Sequence, residues 1–374
     1  MIKIEAVTTK KQLATFIDFP HDLYEGDSNY VPELFIAQRD ILTPGKHPFH
    51  EHSSLQCFLA VDENSKVKGR IAGILNNNHN EFNKSNDGFF GFFDCVDDTA
   101  VAKALFEKAE EWLRAKKVDS MIGPVNPSTN ETVGVLIDGF NMPPVAMMTY
   151  NQPYYIKLYE QNGFRKKVDL FAYDIKTDTV SDRAVKLQEA LMKRLEQKNI
   201  TIRKINVKDF KNEVRQVREI YNSAWDANLG FVPATENEFN YLAKDLKMIL
   251  DPDFCLVAEH QGKMVGFALA VPDVNQIQRK IKKGRLFPTG IFKLLLGLKK
   301  VDYVRVITLG VIEEYRKMGI EACFYAQIIK KAGEKKIKGG EGSWILETNE
   351  MMNKALQNIN GKVYKTYRIY EKSL

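Results

Sequence analysis

Arg316, Lys317 and Gly319 are the residues of this sequence whose types and spacing are best suited to chemistry. They follow a run of strand-forming residues at 304–309 and precede a helical pattern. Gly319 lets the backbone come close to a ligand, and the first amides of the following helix have no partner within that helix. The helix dipole adds a partial positive charge to the two full ones. The spacing therefore predicts an anion site that would suit a pyrophosphate.

The segment from Leu309 to Ile320 contains Leu-Gly-Val, then four residues, then Arg-Lys-Met-Gly-Ile. This pattern resembles the acetyl-CoA signature of the GNAT acyltransferase superfamily, although the final small position is Glu321 here and Ala322 comes one residue later. The resemblance implies acetyl-CoA or another acyl-CoA as co-substrate and no metal. The binding residues that it implies are Leu309, Gly310, Val311, Arg316, Lys317, Met318, Gly319, Ile320, Ala322 and Asn349.

Acyl transfer to an amine needs a base for the amine proton and, in many family members, a tyrosine acid for the departing thiolate. Glu347 is nominated as the base, directly or through water, and a salt-bridged or surface glutamate is the alternative. Tyr159 matches the family's tyrosine within the first half of the chain, in a segment that resembles the last helix of a GNAT domain. Gln357 occupies that place in the second half, so Tyr364 or Tyr367 would have to substitute, or the thiolate leaves unassisted.

The elements that position these residues occur twice. Cys57 and Cys255 begin similar strand patterns and are 198 positions apart, and Asn151 and Asn349 keep the same offset. A repeated offset indicates two copies of one fold. Together with the resemblance, it predicts an α/β (α+β) chain of two tandem GNAT-like domains, each a mixed, mostly antiparallel sheet flanked by helices. The expected bounds are 1–178 and 200–374, with a helical linker at 179–199.

The first copy lacks the phosphate turn. Alignment of the two long helices places Val96-Asp-Asp-Thr99 opposite the segment from Arg316 to Gly319. Two carboxylates replace the cations, and the repulsion between like charges costs about 1 kcal/mol even in water. We therefore expect the first copy to bind CoA poorly or not at all, and the second copy to be the acyl-CoA-binding one.

Composition excludes several classes of protein. The chain has 374 residues, a formal net charge of +6 and 44% hydrophobic residues, which is typical of a folded two-domain protein with a mild preference for anionic ligands. No nucleic-acid motif is present, and its four cysteines are far apart, which is typical of reduced core residues. No apolar run reaches the length of about 18 residues needed to span a bilayer. We expect a cytoplasmic protein.

A basic amphipathic stretch at 275–300 stands out as an insertion in the second copy. It combines eight Lys and Arg residues with the apolar run at 291–298. Such a stretch could lie on an anionic membrane or cover an acyl tunnel. The favoured interpretation is that it packs on its own domain with its lysines in solvent, because Pro288 and Gly290 interrupt the apolar run.

Three functions are consistent with these features. The first is an acyl-CoA-dependent N-acyltransferase, with acetyl the expected acyl group, that acts through the second copy on a small-molecule or peptide amine. The second is a CoA-binding or scaffolding protein without catalysis, which Glu321 and Gln357 motivate. The third is a membrane-peripheral enzyme that acylates a lipid or accepts long acyl chains, which the stretch at 275–300 motivates.

Overall fold

The structure is a computed structural model that describes residues 2–179, 182–224 and 231–374. The strands are β1 (Lys3–Ala6), β2 (Ser54–Val61), β3 (Val67–Leu75), β4 (Asp87–Cys95), β5 (Ser120–Gly123), β6 (Val125–Asn126), β7 (Thr132–Val133), β8 (Val135–Asp138), β9 (Arg165–Lys176), β10 (Ile200–Lys204), β11 (Cys255–His260), β12 (Lys263–Pro272), β13 (Tyr303–Val311), β14 (Gly339–Leu346) and β15 (Lys362–Ser373).

The helices are α1 (Lys10–Leu23), α2 (Phe35–Ile41), α3 (Asn77–Asn83), α4 (Thr99–Arg114), α5 (Tyr154–Gln161), α6 (Asp182–Gln197), α7 (Phe210–Ala224), α8 (Glu236–Lys247), α9 (Asn275–Gln278), α10 (Ile291–Gly297), α11 (Ile320–Glu334) and α12 (Glu350–Asn358). Short single turns of helix occur between several of them.

The chain divides into two compact units. Unit 1 contains Met1–Leu170, Asn275–Leu296 and Lys365–Leu374, and unit 2 contains Phe171–Val274 and Gly297–Tyr364. Both units are therefore discontinuous in sequence, and β9 and β15 each contribute residues to both. The sequence segments 1–178, 179–199 and 200–374 remain a prediction about the repeat. Residues 180 and 181 of the predicted linker lie outside the described residues.

In unit 1, β1, β2, β3 and β4 pair antiparallel in that order, and β5 pairs parallel with β4. The next strand is the C-terminal part of β15, with Tyr370 opposite Gly123, and the N-terminal part of β9 follows it. Helix α4 packs its apolar stripe on this sheet, and Leu105, Phe106 and Ala109 are completely buried.

Unit 2 repeats the same order. Strands β10, β11, β12 and β13 pair antiparallel, β14 pairs parallel with β13, and β9 is next to β14. Helix α11 supplies Ile320, Cys323 and Phe324 to the buried core. The predicted mixed, mostly antiparallel α/β sheet with flanking helices is thus present in each unit.

The basic stretch differs from expectation in its location. Residues Asn275–Leu296 belong to unit 1, although their position in the chain lies within the second copy. The reason is a set of specific contacts with the N-terminal part of the chain. Asn275 donates to the carbonyl of Pro144 at 2.9 Å, and Gln278 donates to the carbonyl of Pro32 at 2.9 Å.

Candidate acyl-CoA site

The candidate site of unit 2 begins where two parallel strands separate. Strands β13 and β14 pair from Tyr303 and Gly339 as far as Val306 and Gly342. Beyond Val306, β13 remains paired with β12, but the register shifts opposite Leu269 and Ala270, which leaves an extra residue on β13. A bulge of this kind bends a strand. It fits the separation of β13 from β14, which exposes a length of backbone edge to a ligand.

The end of β13 leads into the predicted anion turn. Gly319 has φ of +93° and stands at the N-terminus of α11, and no side chain caps that helix. The first amides of α11 are therefore available to an anion. The side chain of Arg316 is oriented by two backbone carbonyls, because its Nε donates to the carbonyl of Val311 at 3.2 Å and its Nη2 donates to the carbonyl of Ala224 at 2.9 Å. Arg316 and Gly319 thus lie between the end of β13 and the start of α11, and their role in binding a diphosphate stays a prediction.

Helix α6 forms one wall of the turn, which the sequence analysis did not foresee. A Cβ added at Gly319 would lie 3.0 Å from the Cδ2 atom of Leu191. Further along, Gln327 donates to the sulfur of Met192 at 3.4 Å. Leu195 of the same helix is buried in the core of unit 2. The apolar spacing of Leu191 and Leu195 was the available signal, but it does not say which helix they would face.

Glu321 is the one acidic residue in the first turn of α11. Burial raises the pKa of its carboxyl group, while a hydrogen bond from its own backbone and the charge of Arg316 act in the opposite direction. The carboxylate thus lies in the positive potential of Arg316 and of the α11 N-terminus, where a phosphate would also bind. A diphosphate at this turn must compete with it.

A buried polar network lies at the base of the strand separation. Arg305 is 2% exposed and Glu341 is 0% exposed, and the two residues are register partners on β13 and β14. Arg305 donates from Nε to the hydroxyl of Ser343 at 2.9 Å. Both Ser343 and Tyr364 donate short hydrogen bonds to the carboxylate of Glu341. Tyr364, which the sequence analysis predicts as an acid, therefore donates a hydrogen bond to a buried carboxylate.

The other nominated residues of unit 2 lie beyond β14. Asn349 caps α12, because its side chain accepts a hydrogen bond from the amide of Met352 at 3.1 Å. Glu347 follows β14 and is half-buried, and its carbonyl accepts a hydrogen bond from Asn353. The roles of Asn349 in binding acyl-CoA and of Glu347 as the base stay predictions.

A further tyrosine takes up a position that the sequence analysis missed. Tyr173 of β9 donates from its hydroxyl to the side chain of Asn353 at 2.8 Å, and the Gln357 side chain also bonds to it. Burial raises the pKa of this phenol. The hydroxyl of Tyr173 thus lies beside Gln357, where the family resemblance places a tyrosine acid.

The corresponding place in unit 1 lies where β4 leads into α4. At the end of β4, the amide of Cys95 donates to Tyr155 at 3.1 Å and its carbonyl accepts from Tyr154 at 2.6 Å. The carboxylate of Asp98 accepts hydrogen bonds from two amides at the start of α4. The backbone and the helix terminus are therefore occupied by the protein's own groups. Poor CoA binding by the first copy stays a prediction.

The remaining two nominated tyrosines also belong to unit 1. Tyr159 is buried and its ring stacks on Tyr370 with centroids 5.0 Å apart. Tyr367 is completely buried next to Gly134. Both environments favour packing, and an acid role for either tyrosine stays a prediction.

Within residues 2–179, 182–224 and 231–374, no group of three His, Cys, Asp or Glu residues could hold a metal ion. Across those same ranges, no helix combines the length and the apolar character that crossing a bilayer requires.

Comparison with known proteins gives two relatives that match over nearly their full lengths. The chain is 36% identical over 379 residues to Protein YghO of Escherichia coli (strain K12), with 99% of this chain and 95% of that protein covered. It is 34% identical over 380 residues to the bacterial ceramide synthase of Caulobacter vibrioides, with 100% of this chain and 98% of that protein covered. No protein-family model matches the chain.

Among solved structures, a tandem GNAT protein from the clavulanic acid biosynthesis pathway is similar over 100% of this chain and 98% of its own, with a TM-score of 0.58 and 10% identity. At this identity the likeness shows the fold. The prediction of a tandem GNAT-like fold is confirmed.

Proposed function

This chain belongs to the family of Escherichia coli Protein YghO and the Caulobacter vibrioides bacterial ceramide synthase, and we propose that it transfers an acyl group from an acyl-CoA to the primary amine of a lipid-like acceptor. One observation supports the transfer from acyl-CoA. The N-terminus of α11 has no side-chain cap and follows Arg316, after β13 has separated from β14. The acceptor class rests on the name of the second relative, since a ceramide is an N-acylated long-chain amino alcohol.

The residues of unit 2 suit the steps of this reaction. Amides at the start of α11 and the guanidinium of Arg316 would bind the diphosphate. The free edge of β13 after its bulge offers backbone N–H groups to the thioester oxygen. Glu347 would take a proton from the amine, directly or through water, as the new C–N bond forms and the C–S bond breaks. The departing thiolate needs a proton, and the candidate donors are Tyr173 and Tyr364, whose hydroxyls bond to Asn353 and to Glu341.

Calorimetric titration with acetyl-CoA and palmitoyl-CoA tests the binding step. We expect Arg316→Ala to weaken affinity about tenfold or more, because charge-assisted contacts to phosphate contribute about 1.5–3 kcal/mol each. Arg215→Ala is the matched control, since Arg215 lies on the exposed face of α7 and pairs only with neighbours on its own helix. Equal affinity of the Arg316→Ala and wild-type proteins would remove the proposed site.

The transfer step is tested by measuring the release of free CoA thiol from an acyl-CoA, with one amine acceptor added at a time. We expect turnover with a long-chain 2-amino alcohol and little with ethanolamine or a lysine peptide. The variants Tyr173→Phe and Tyr364→Phe then identify the acid, because the one that donates the proton lowers kcat while CoA affinity stays the same. No thiol release with any acyl-CoA and amine pair would contradict the catalytic proposal.

A second candidate function is CoA binding without catalysis. Glu321 in the first turn of α11 and Gln357 at the usual position of the acid favour it. This function predicts that CoA binds and that Arg316→Ala weakens binding to the same extent, while no amine accelerates thiol release.

A further inference from the structure

Residues 279–296, here called the basic loop, are fastened to unit 1 by specific contacts. Lys283 pairs with Asp22 at 2.6 Å, and Arg285 donates to both carboxylate oxygens of Asp18 at 2.8 and 3.0 Å. At Gly284, with φ of +61°, a Cβ would lie 1.8 Å from the carbonyl oxygen of Glu33. The backbone of the loop therefore fits closely against the N-terminal segment and holds the rest of the loop in a defined position.

Four large apolar side chains of the basic loop are exposed to solvent. Phe292, Leu295 and Leu296 follow the i, i+3, i+4 spacing of one face of α10 and are 64%, 55% and 75% exposed. Phe287 lies just before this helix and is 71% exposed. Four of the eleven exposed large apolar residues in the described ranges thus fall within ten consecutive positions. Clustered exposure of this kind marks an interaction surface.

The same loop presents cations that have no acidic neighbour to neutralise them. Arg279, Lys280, Lys282 and Lys293 are exposed, and over the described parts of the chain no carboxylate lies within ion-pair distance of any of them. The stretch 275–300 contains no Asp or Glu. A cavity of about 290 Å³ lies among Lys282, Lys293 and Phe287 and the cations fastened to α1. Its size and charge suit a phosphate-bearing headgroup.

We propose that the basic loop docks this protein on an anionic lipid bilayer, with its four exposed apolar side chains inserted at the interface and its free cations on lipid phosphates. An apolar helix face flanked by lysines is the composition that interfacial binding requires. Each cation near such a surface strengthens binding about fivefold. A second copy of the chain is a poorer occupant, because it carries the same positive loop and a net charge of +6. Docking needs no CoA and holds whether or not the chain transfers acyl groups.

Vesicle flotation with the full chain tests the proposal. Vesicles of phosphatidylcholine with 30% phosphatidylglycerol are compared with phosphatidylcholine alone. We expect the wild type to float with the anionic vesicles at low salt and to dissociate at high salt. Lys282→Gln with Lys293→Gln should weaken binding about 25-fold, and Phe292→Ser with Leu296→Ser should weaken it at least tenfold.

Two variants of unit 2 serve as matched controls. Met248→Ser removes an apolar side chain that is 69% exposed, and Lys354→Gln removes an exposed cation. Both should bind vesicles as the wild type does, and thermal unfolding confirms that every variant is folded. Three results would each overturn the proposal: no flotation of the wild type, equal flotation of the loop variants, or a wild-type dimer that the Phe292→Ser and Leu296→Ser changes convert to a monomer.

Discussion

Glu321 and Arg316 act on the same small volume with opposite charges. Arg316 is oriented by two backbone carbonyls, so its charge stays at the turn. Glu321 lies in the first turn of α11, and burial holds its pKa above the ordinary value. The affinity of the site for a diphosphate therefore depends on the balance between these two charges.

Glu321→Gln should tighten CoA binding about tenfold at neutral pH, because it removes a like charge at contact distance from the diphosphate. The carboxyl group of the wild type becomes neutral as the pH falls through its raised pKa. The affinity ratio between the variant and the wild type should therefore decrease towards one at acidic pH. Titration of both proteins at several pH values checks this.

An affinity ratio that stays constant with pH would contradict the assignment to Glu321. Glu313→Gln is the control, since Glu313 is an exposed acid ahead of Arg316 and outside the first turn of α11. It should change CoA affinity by less than about twofold.

Two helices, α4 and α11, occupy equivalent places in the two units, but their N-termini differ. Asp98 supplies a carboxylate to two amides of α4, whereas Gly319 leaves those of α11 without a side-chain cap. A cap stabilises the helix that it closes, and an open terminus binds anions at the cost of that stability. The same fold thus has a closed terminus in one unit and an open one in the other.

Asp98→Ala should lower the free energy of unfolding by about 1 kcal/mol, the typical contribution of an aspartate cap. Asp97→Ala is the matched control, because Asp97 is an exposed neighbour that does not cap α4. Urea denaturation of both variants checks the difference. An equal loss of unfolding free energy in the two variants would mean that Asp98 acts through its negative charge alone and not as a cap.

The anion turn could be predicted from sequence because Arg316 and Gly319 are close in the chain. The positive charge and the glycine that the turn requires are therefore visible within a few residues. The network of Arg305, Ser343 and Glu341 could not, because its members meet only through the register of β13 with β14. The signal was present as single charged residues in apolar strands, but no local rule pairs them.

The position of Tyr173 beside Gln357 escaped prediction for a related reason. Tyr173 belongs to β9, and it bonds to Asn353, which is 180 positions further along the chain. The sequence analysis assigned this strand to the first copy. Exchange of the last strands between units depends on long-range pairing, which periodicity within each copy does not reveal.

At the scale of the whole molecule, the last ten residues complete the unit that contains the N-terminus. Arg368 pairs with Asp169 at 2.7 and 3.0 Å, and Lys365 donates to two backbone carbonyls of the loop after β8. Lys372 is hydrogen-bonded to Glu110 of α4. These contacts join residues 199 to 262 positions apart in sequence.

Deletion of residues 365–374 should unfold unit 1, because it removes a strand between β5 and β9 together with its partly buried ion pairs. Breaking one pair alone, with Arg368→Ala, should cost about 1.5–3 kcal/mol, the usual contribution of hydrogen bonds to a charged group. Hydrogen exchange of backbone amides checks both, and protection should fall in β1 to β5. Lys362→Ala, at the exposed start of the same strand, is the control.

Retained protection of β1 to β5 in the truncated chain would contradict the division into units. Restoration of protection by a synthetic peptide of residues 365–374 would support it further, since the missing strand would then be supplied in trans.

This exchange of the final strand has a consequence for biosynthesis. When the ribosome has made residues 1–170, the nascent polypeptide still lacks the segment that covers the edge of β5. At elongation rates of roughly 5–20 residues per second, about 10–40 s pass before that segment is made. Throughout this interval the unfinished edge is open to any extended peptide nearby, so the growing chain depends on chaperones or on speed of synthesis to avoid aggregation.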